Sequence, residues 1–188
     1  AVIANENESS IIPEVCFHPG GSTFAVSFHK NNEVRIFDAC TRAVVRIYNN
    51  PDAEFDEPHG VVVTENHIIV SNSHGFLKPS QLNVFRIDDP SGKPVTTFTT
   101  PFPHLREAHS LAVDECRLVA TYCENPSKTG AVVSYRFDDK TGLISGPLDI
   151  HESSFKQYGD SKGVSFNADC SKILVSFNTR RRMSLLYK

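Results

Sequence analysis

The sequence predicts an all-β fold: a β-propeller of four-stranded antiparallel blades, about four blades in 188 residues. Three observations predict it. Helical periodicity is hard to find, and short runs rich in Val, Ile, Phe and Tyr alternate with Gly, Pro, Asn and Asp clusters. The runs repeat, with Val15, Val61, Leu111 and Val164 opening equivalent strands at successive spacings of 46, 50 and 53 residues. Most repeats carry four such runs, and four strands in roughly 45–50 residues make one blade.

Each element follows from this pattern. The inner strands are Val15-Cys16-Phe17, Val61-Val62-Val63, Leu111-Ala112-Val113 and Val164-Ser165-Phe166. Second strands follow at Phe24–Phe28, Ile68–Asn72, Leu118–Tyr122 and Ile173–Phe177. The inner strands are almost fully apolar, as expected where both faces pack on neighbouring blades. Third strands run Glu33–Asp38, Leu82–Asp88, Val132–Asp138 and Met183–Tyr187. In three of them Arg35, Arg86 and Arg136 alternate with aromatics, as fits a strand nearer the rim. Fourth strands are expected at Ala43–Tyr48, Val95–Thr99 and, more weakly, Gly146–Ile150. The blades therefore span about 11–50, 57–100, 107–150, and 160–188 together with 1–5. Ala1–Ala4 sits where a fourth strand would, so pairing with the last blade would close a four-bladed ring with no free edge. The other arrangement is a fragment of a six- to eight-bladed ring, which the missing initiator Met favours.

Composition excludes several classes. Nineteen Lys and Arg against 22 Asp and Glu give a net charge of −3, so no basic surface argues for nucleic acid or an anionic membrane. No apolar run is long enough for a transmembrane helix, and residues 1–10 show no signal peptide. A soluble protein is expected, with the cytoplasm favoured over the periplasm or secretion. The five cysteines show no C-x-x-C pair and read as reduced structural thiols. There is no phosphate-binding Gly loop, G-x-S-x-G elbow or H-E-x-x-H helix.

A candidate site follows from topology. In a propeller, the approach to the inner strand and the exit of the second strand lie on one face, around the channel mouth. The approaches are Glu57-Pro58-His59-Gly60, Glu107-Ala108-His109-Ser110 and Asp160-Ser161-Lys162-Gly163. Each has an acid, a spacer, a His or Lys and a small residue. The first repeat departs, with Ile11-Ile12-Pro13-Glu14 placing its acid near but outside the matching slot. The exits are His29-Lys30-Asn31, Asn72-Ser73-His74, Cys123-Glu124-Asn125 and Asn178-Thr179-Arg180. The ligand-binding candidates are Glu57, His59, Asn72, His74, Glu107, His109, Asp160, Lys162, Asn178 and Arg180. Converging acids repel unless a cation neutralises them, so Glu57, Glu107 and Asp160 are candidate ligands for a divalent metal. Carboxylates with amide oxygens suit a hard cation such as Ca²⁺. His59 and His109 suit metal ligation or acid–base work near neutral pH. The alternative is a structural polar ring, in which these groups bond backbone and one another across blades. His18 and His67 fall on the opposite face, where solvated turns are expected.

The blade running Pro58-His59-Gly60-Val61, Ile69-Val70-Ser71-Asn72, Val84-Phe85-Arg86-Ile87-Asp88 and Ser91-Gly92-Lys93 resembles those of lactonase-type and YVTN-type propellers. Tyr135-Arg136-Phe137-Asp138 with Lys140-Thr141-Gly142-Leu143 is similar to another stretch of such blades. The likeness covers essentially the whole chain. It departs at Asp169-Cys170-Ser171, which lacks the usual turn glycine, and no Trp-Asp dipeptide supports a WD-repeat assignment beyond a WD40-like architecture. The blade repeat and the lack of a catalytic motif point to a binding module whose top face takes a protein partner or small-molecule ligand. Its alternative is a lactonase-like hydrolase acting on a sugar lactone, with metal assistance. Some lactonase-like relatives hold a metal here with Glu, Asp and Asn, which points to Glu57, Asn72, Glu107, Asp160 and Asn178. An incomplete ring would also admit a second copy of the chain.

Overall fold

The computed structural model describes residues 14–74, 78–123, 130–151, 161–177 and 183–187; the side chains of 123, 161, 177 and 183–187 are outside this description. The described residues form four antiparallel sheets in sequence order. The first sheet holds β1 (Val15–Phe17), β2 (Thr23–Phe28), β3 (Glu33–Asp38) and β4 (Val44–Asn49). The second holds β5 (Pro58–Val63), β6 (His67–Asn72), β7 (Gln81–Arg86) and β8 (Thr96–Thr99). The third holds β9 (Arg106–Val113), β10 (Arg117–Cys123), β11 (Gly130–Asp138) and β12 (Leu143–His151). The last holds β13 (Ser161–Phe166), β14 (Lys172–Phe177) and β15 (Met183–Tyr187). These are the four blades. The proposed closure by Ala1–Ala4 lies outside the described residues.

The repeat in sequence is a repeat in register. Val15 pairs with Val26, Val61 with Val70, Leu111 with Ala120 and Val164 with Val175. Because strand side chains alternate between faces, each inner blade packs on two neighbours. Val61 and Val63 join Ala25, Val34 and Tyr48 of the first blade, while Val62 joins Leu118, Ala120 and Tyr135 of the third. Val119 and Val132 then meet Val175 of the fourth. Burying each such aliphatic side chain contributes about 1.5–3 kcal/mol.

Some expected elements differ. The weakly predicted fourth strand of the third blade is instead nine residues long, paired with β11 from Val132–His151 to Asp138–Leu143. The first inner strand is not fully packed: Cys16 packs toward the neighbouring blades, while Val15 and Phe17 are 53% and 61% exposed. In a three-residue strand, alternation leaves only the middle side chain facing inward.

His67 corrects a clear expectation. It is fully buried and opens β6, rather than sitting solvated in a turn. Its Nδ1 lies 3.1 Å from Asp139 Oδ1 of the next blade, and its own amide donates to Thr64 Oγ1 at 3.0 Å. Thr64 Oγ1 also donates to Asp139, whose second oxygen accepts from Asn66 Nδ2 at 3.0 Å. Gly142 makes room for the ring: its φ is +75°, and a Cβ there would lie 2.9 Å from His67 Nε2. His18 stays half-exposed in its turn, with Nδ1 accepting from Gly20 N at 3.0 Å.

Candidate metal- and ligand-binding mouth

The expected approach loops belong to the inner strands themselves. β5 already includes Pro58 and His59, and β9 includes Glu107 and His109. Pairing with the second strand slips between Pro58 and Val61, between Ala120 and Tyr122, and between Ser161 and Gly163. An extra residue in one strand re-aims its side chains, a common device beside functional sites. Glu57 and Glu107 enter these irregular stretches with φ of 60° and 53°. The left-handed region costs a non-glycine residue about 1–2 kcal/mol, and here it recurs at matching positions of two blades.

A hydroxyl in the second strand of each of the first three blades secures the arrangement. Ser27 Oγ donates to His59 O at 2.5 Å and Ser71 Oγ to His109 O at 3.4 Å, each reaching into the next blade. Ser71 Oγ also accepts from Gly60 N at 2.7 Å, as Thr121 Oγ1 does from Ser110 N at 3.0 Å. The preceding blade therefore fixes the backbone of His59 and of His109.

These supports bring one nitrogen side chain from each blade into a row. The His29 and His59 rings have centroids 4.4 Å apart, and His59 and His109 4.7 Å. Lys162 Nζ lies 2.6 Å from His109 Nε2. Carboxylates lie along the row. Glu57 Oε1 is 3.9 Å from His29 Nε2. Glu107 Oε1 is 3.8 Å from His59 Nε2 and 3.3 Å from His109 Nε2. His59, Glu107 and His109 retain only 14, 15 and 8% side-chain exposure.

The electrostatics are set by crowding. Burial drives the His59 imidazole down to about 3, and His109, His29 and Lys162 add to the fall against the pull of Glu107. His59 is therefore neutral at physiological pH. Burial pushes the Glu107 carboxyl up, but His109, Lys162 and His59 together hold it below the ordinary carboxylate range. This corner pairs an ionised oxygen with a neutral nitrogen.

Glu14 is the acid the spacing argument set aside. Its Oε2 accepts from Val61 N at 3.0 Å and Leu111 N at 3.4 Å, while Oε1 accepts from the Ser110 hydroxyl. It thus ties blade one to blades two and three. Burial raises its carboxyl to about 7 despite these bonds, with Ser110, Val61 and Leu111 pulling the other way. A Cβ on Gly60 would lie 2.9 Å from Glu14 Oε2 and 2.7 Å from His109 O, so glycine opens the space for this contact.

The candidates divide accordingly. His59, Glu107, His109 and Lys162 converge. Glu57 stands at the His29 end and also accepts from Ser73 Oγ at 3.3 Å. Asn72 and His74 serve as clamps: Asn72 Oδ1 accepts from Asp56 N at 2.6 Å and Nδ2 donates to Glu54 O at 2.9 Å. His74 spends Nδ1 on Asp56 and Nε2 on Gln81, at 3.1 and 2.9 Å. Asp160, Asn178 and Arg180 lie outside the described residues. Among the described residues, the metal-competent group is His59, Glu107 and His109, so Glu107 is grouped with two imidazoles rather than with Glu57. His29 was visible as a strand exit but had no counterpart in the acid–His pattern. The hydroxyl column Ser27, Ser71, Thr121 and Ser176 was the sequence signal for the supports.

No protein-family model matches the sequence, and no curated protein matches it. Solved structures resemble the fold. A putative 6-phosphogluconolactonase from Bacteroides fragilis aligns at TM-score 0.70 and 10% identity, over 97% of this chain and 52% of that one. The Cps50 (Swd1) β-propeller domain of Myceliophteria thermophila aligns at 0.59 and 10%, over 95% and 54%. Myxococcus xanthus glutaminyl cyclase aligns at 0.59 and 12%, over 97% and 75%. The chain spans about half the length of the first two. At these identities the likeness is one of architecture: the chain has a β-propeller fold in four sequential blades.

Proposed function

We propose that the chain presents a small-molecule binding mouth on its top face. The observation that carries this reading is the row His29, His59, His109 and Lys162, one side chain from each blade, with Glu57 and Glu107 beside it. A fold that needed only blade cohesion would have little use for three imidazoles and an ammonium crowded into one row. Such groups hold polar ligands by donating and accepting in fixed directions. Calorimetric titration with sugar lactones and the matching sugar acids tests it. Binding should disappear when Glu57, His59, Glu107 and His109 are replaced together while the circular dichroism spectrum is kept. Unchanged binding by that folded variant would refute the mouth.

A second reading is favoured by one contact, the neutral His59 beside ionised Glu107 at 3.8 Å. That pair could direct a water toward the carbonyl of a cyclic ester. The likeness to a lactonase supports this at fold level. Hydrolysis of sugar lactones above background, with and without chelator, separates catalysis from binding alone.

A further inference from the structure

We infer that His59, Glu107 and His109 hold one borderline transition-metal dication of the zinc class, in competition with the Lys162 ammonium. This rests on the reading of the top face as a binding mouth and specifies what binds there.

The donor set argues for the metal class. Two imidazole nitrogens and one carboxylate oxygen lie within 4.8 Å of one another. Ligand atoms around a tetrahedral zinc stand about 3.3 Å apart, given bonds of about 2.0–2.1 Å. Glu107 Oε1 to His109 Nε2 is already 3.3 Å, and Glu107 Oε1 to His59 Nε2 is 3.8 Å. Small rotations of two side chains complete the set. Calcium and magnesium prefer shells of oxygen, so nitrogen in two of three positions disfavours the calcium expected from carboxylates and amides.

Charge points the same way. The Glu107 carboxylate, only 15% exposed, has imidazole nitrogens of His59 and His109 within 3.8 and 3.3 Å, and a buried anion so placed calls for positive charge nearby. Lys162 supplies it with its ammonium 2.6 Å from His109 Nε2. A dication would take the same nitrogen and displace the ammonium. The ligands also sit on strands, with the carbonyls of His59 and His109 bonded to Ser27 and Ser71. Support of this kind holds a coordination site in shape.

The test uses the chelator-stripped chain and Zn²⁺ alone, followed by calorimetry, with Co²⁺ absorption as a report of coordination geometry. One equivalent of Zn²⁺ should bind, Co²⁺ should give the intense visible bands of a tetrahedral site, and Ca²⁺ should produce no heat. His59→Ala, Glu107→Gln and His109→Ala should each weaken Zn²⁺ at least tenfold, and Lys162→Met should tighten it. Glu107→Gln keeps size and shape, so it reports on coordination even where an alanine variant fails to fold. Equal Zn²⁺ binding by wild type and folded Glu107→Gln would overturn the assignment, as would absent Zn²⁺ heat; weaker binding by Lys162→Met would overturn the competition. Sugar-lactone binding without Zn²⁺ binding removes the metal and leaves the mouth. Zn²⁺ binding without any organic ligand leaves the metal and removes the small-molecule reading.

Discussion

Two histidine–carboxylate groups occupy opposite faces of the same blades, and they behave differently. On the lower face His67 is sealed, with Nδ1 on Asp139 and that carboxylate further bonded by Thr64 and Asn66. All three bonds to Asp139 span the contact between blades two and three, so the group works as a lock. On the upper face His59 and His109 crowd His29 and Lys162, and Glu107 is shared between two rings. Both groups pair imidazole with carboxylate. The difference lies in where the carboxylate sits: Asp139 is held by three side chains of one neighbouring blade, whereas Glu107 is shared between two rings that also crowd His29 and Lys162.

Substitution sharpens this contrast. The largest effect is expected from His67→Ala, which empties a buried site and strips Asp139 of a partner. It should cost about 3–4 kcal/mol in urea unfolding and leave upper-face binding intact in the folded fraction. Glu14 comes next, through pH. Its carboxyl titrates at about 7 when folded against an ordinary value of 4.5. Between those values the folded chain holds a proton that the unfolded chain has released. Its contribution to stability is therefore full below about pH 4.5 and declines up to about pH 7, by about 3 kcal/mol in all. Glu14→Gln should flatten that decline, visible as a difference in unfolding free energy between variant and wild type across the window. Gly60→Ala should cost about 2 kcal/mol, because its methyl would meet the His109 carbonyl and the Glu14 carboxylate. The smallest stability change, under about 1 kcal/mol, is expected for His59→Gln, although it should weaken mouth binding by tenfold or more. A His59→Gln variant as unstable as His67→Ala would erase the distinction between lock and mouth.

The blades were readable because apolar alternation and turn residues are local and repeat with the chain. The acid–spacer–His pattern likewise led to Glu107, His59 and His109, since topology alone puts equivalent positions on one face. His67 was misread and Glu14 was set aside for a shared reason. Each finds its partners in another blade, Asp139 for one and Ser110 and Leu111 for the other, and no local pattern carries that pairing. Asn72 and His74 fell in a strand exit beside the mouth, yet their side chains turn to backbone, Asp56 and Gln81. The serine and threonine column repeats in the sequence but was passed over, because a hydroxyl within an apolar strand does not announce which backbone it will clamp.

Glu14 also bears on how the blades come apart. In an array of repeats each unit ordinarily senses only its immediate neighbours, so loss can begin at one end and advance unit by unit. A carboxylate on the first blade that is held by the backbone of the second and third breaks that rule. Detaching the third blade withdraws two of the donors around a buried side chain on the first. The three blades are thereby coupled beyond nearest neighbours, and their unfolding is drawn toward a single cooperative event.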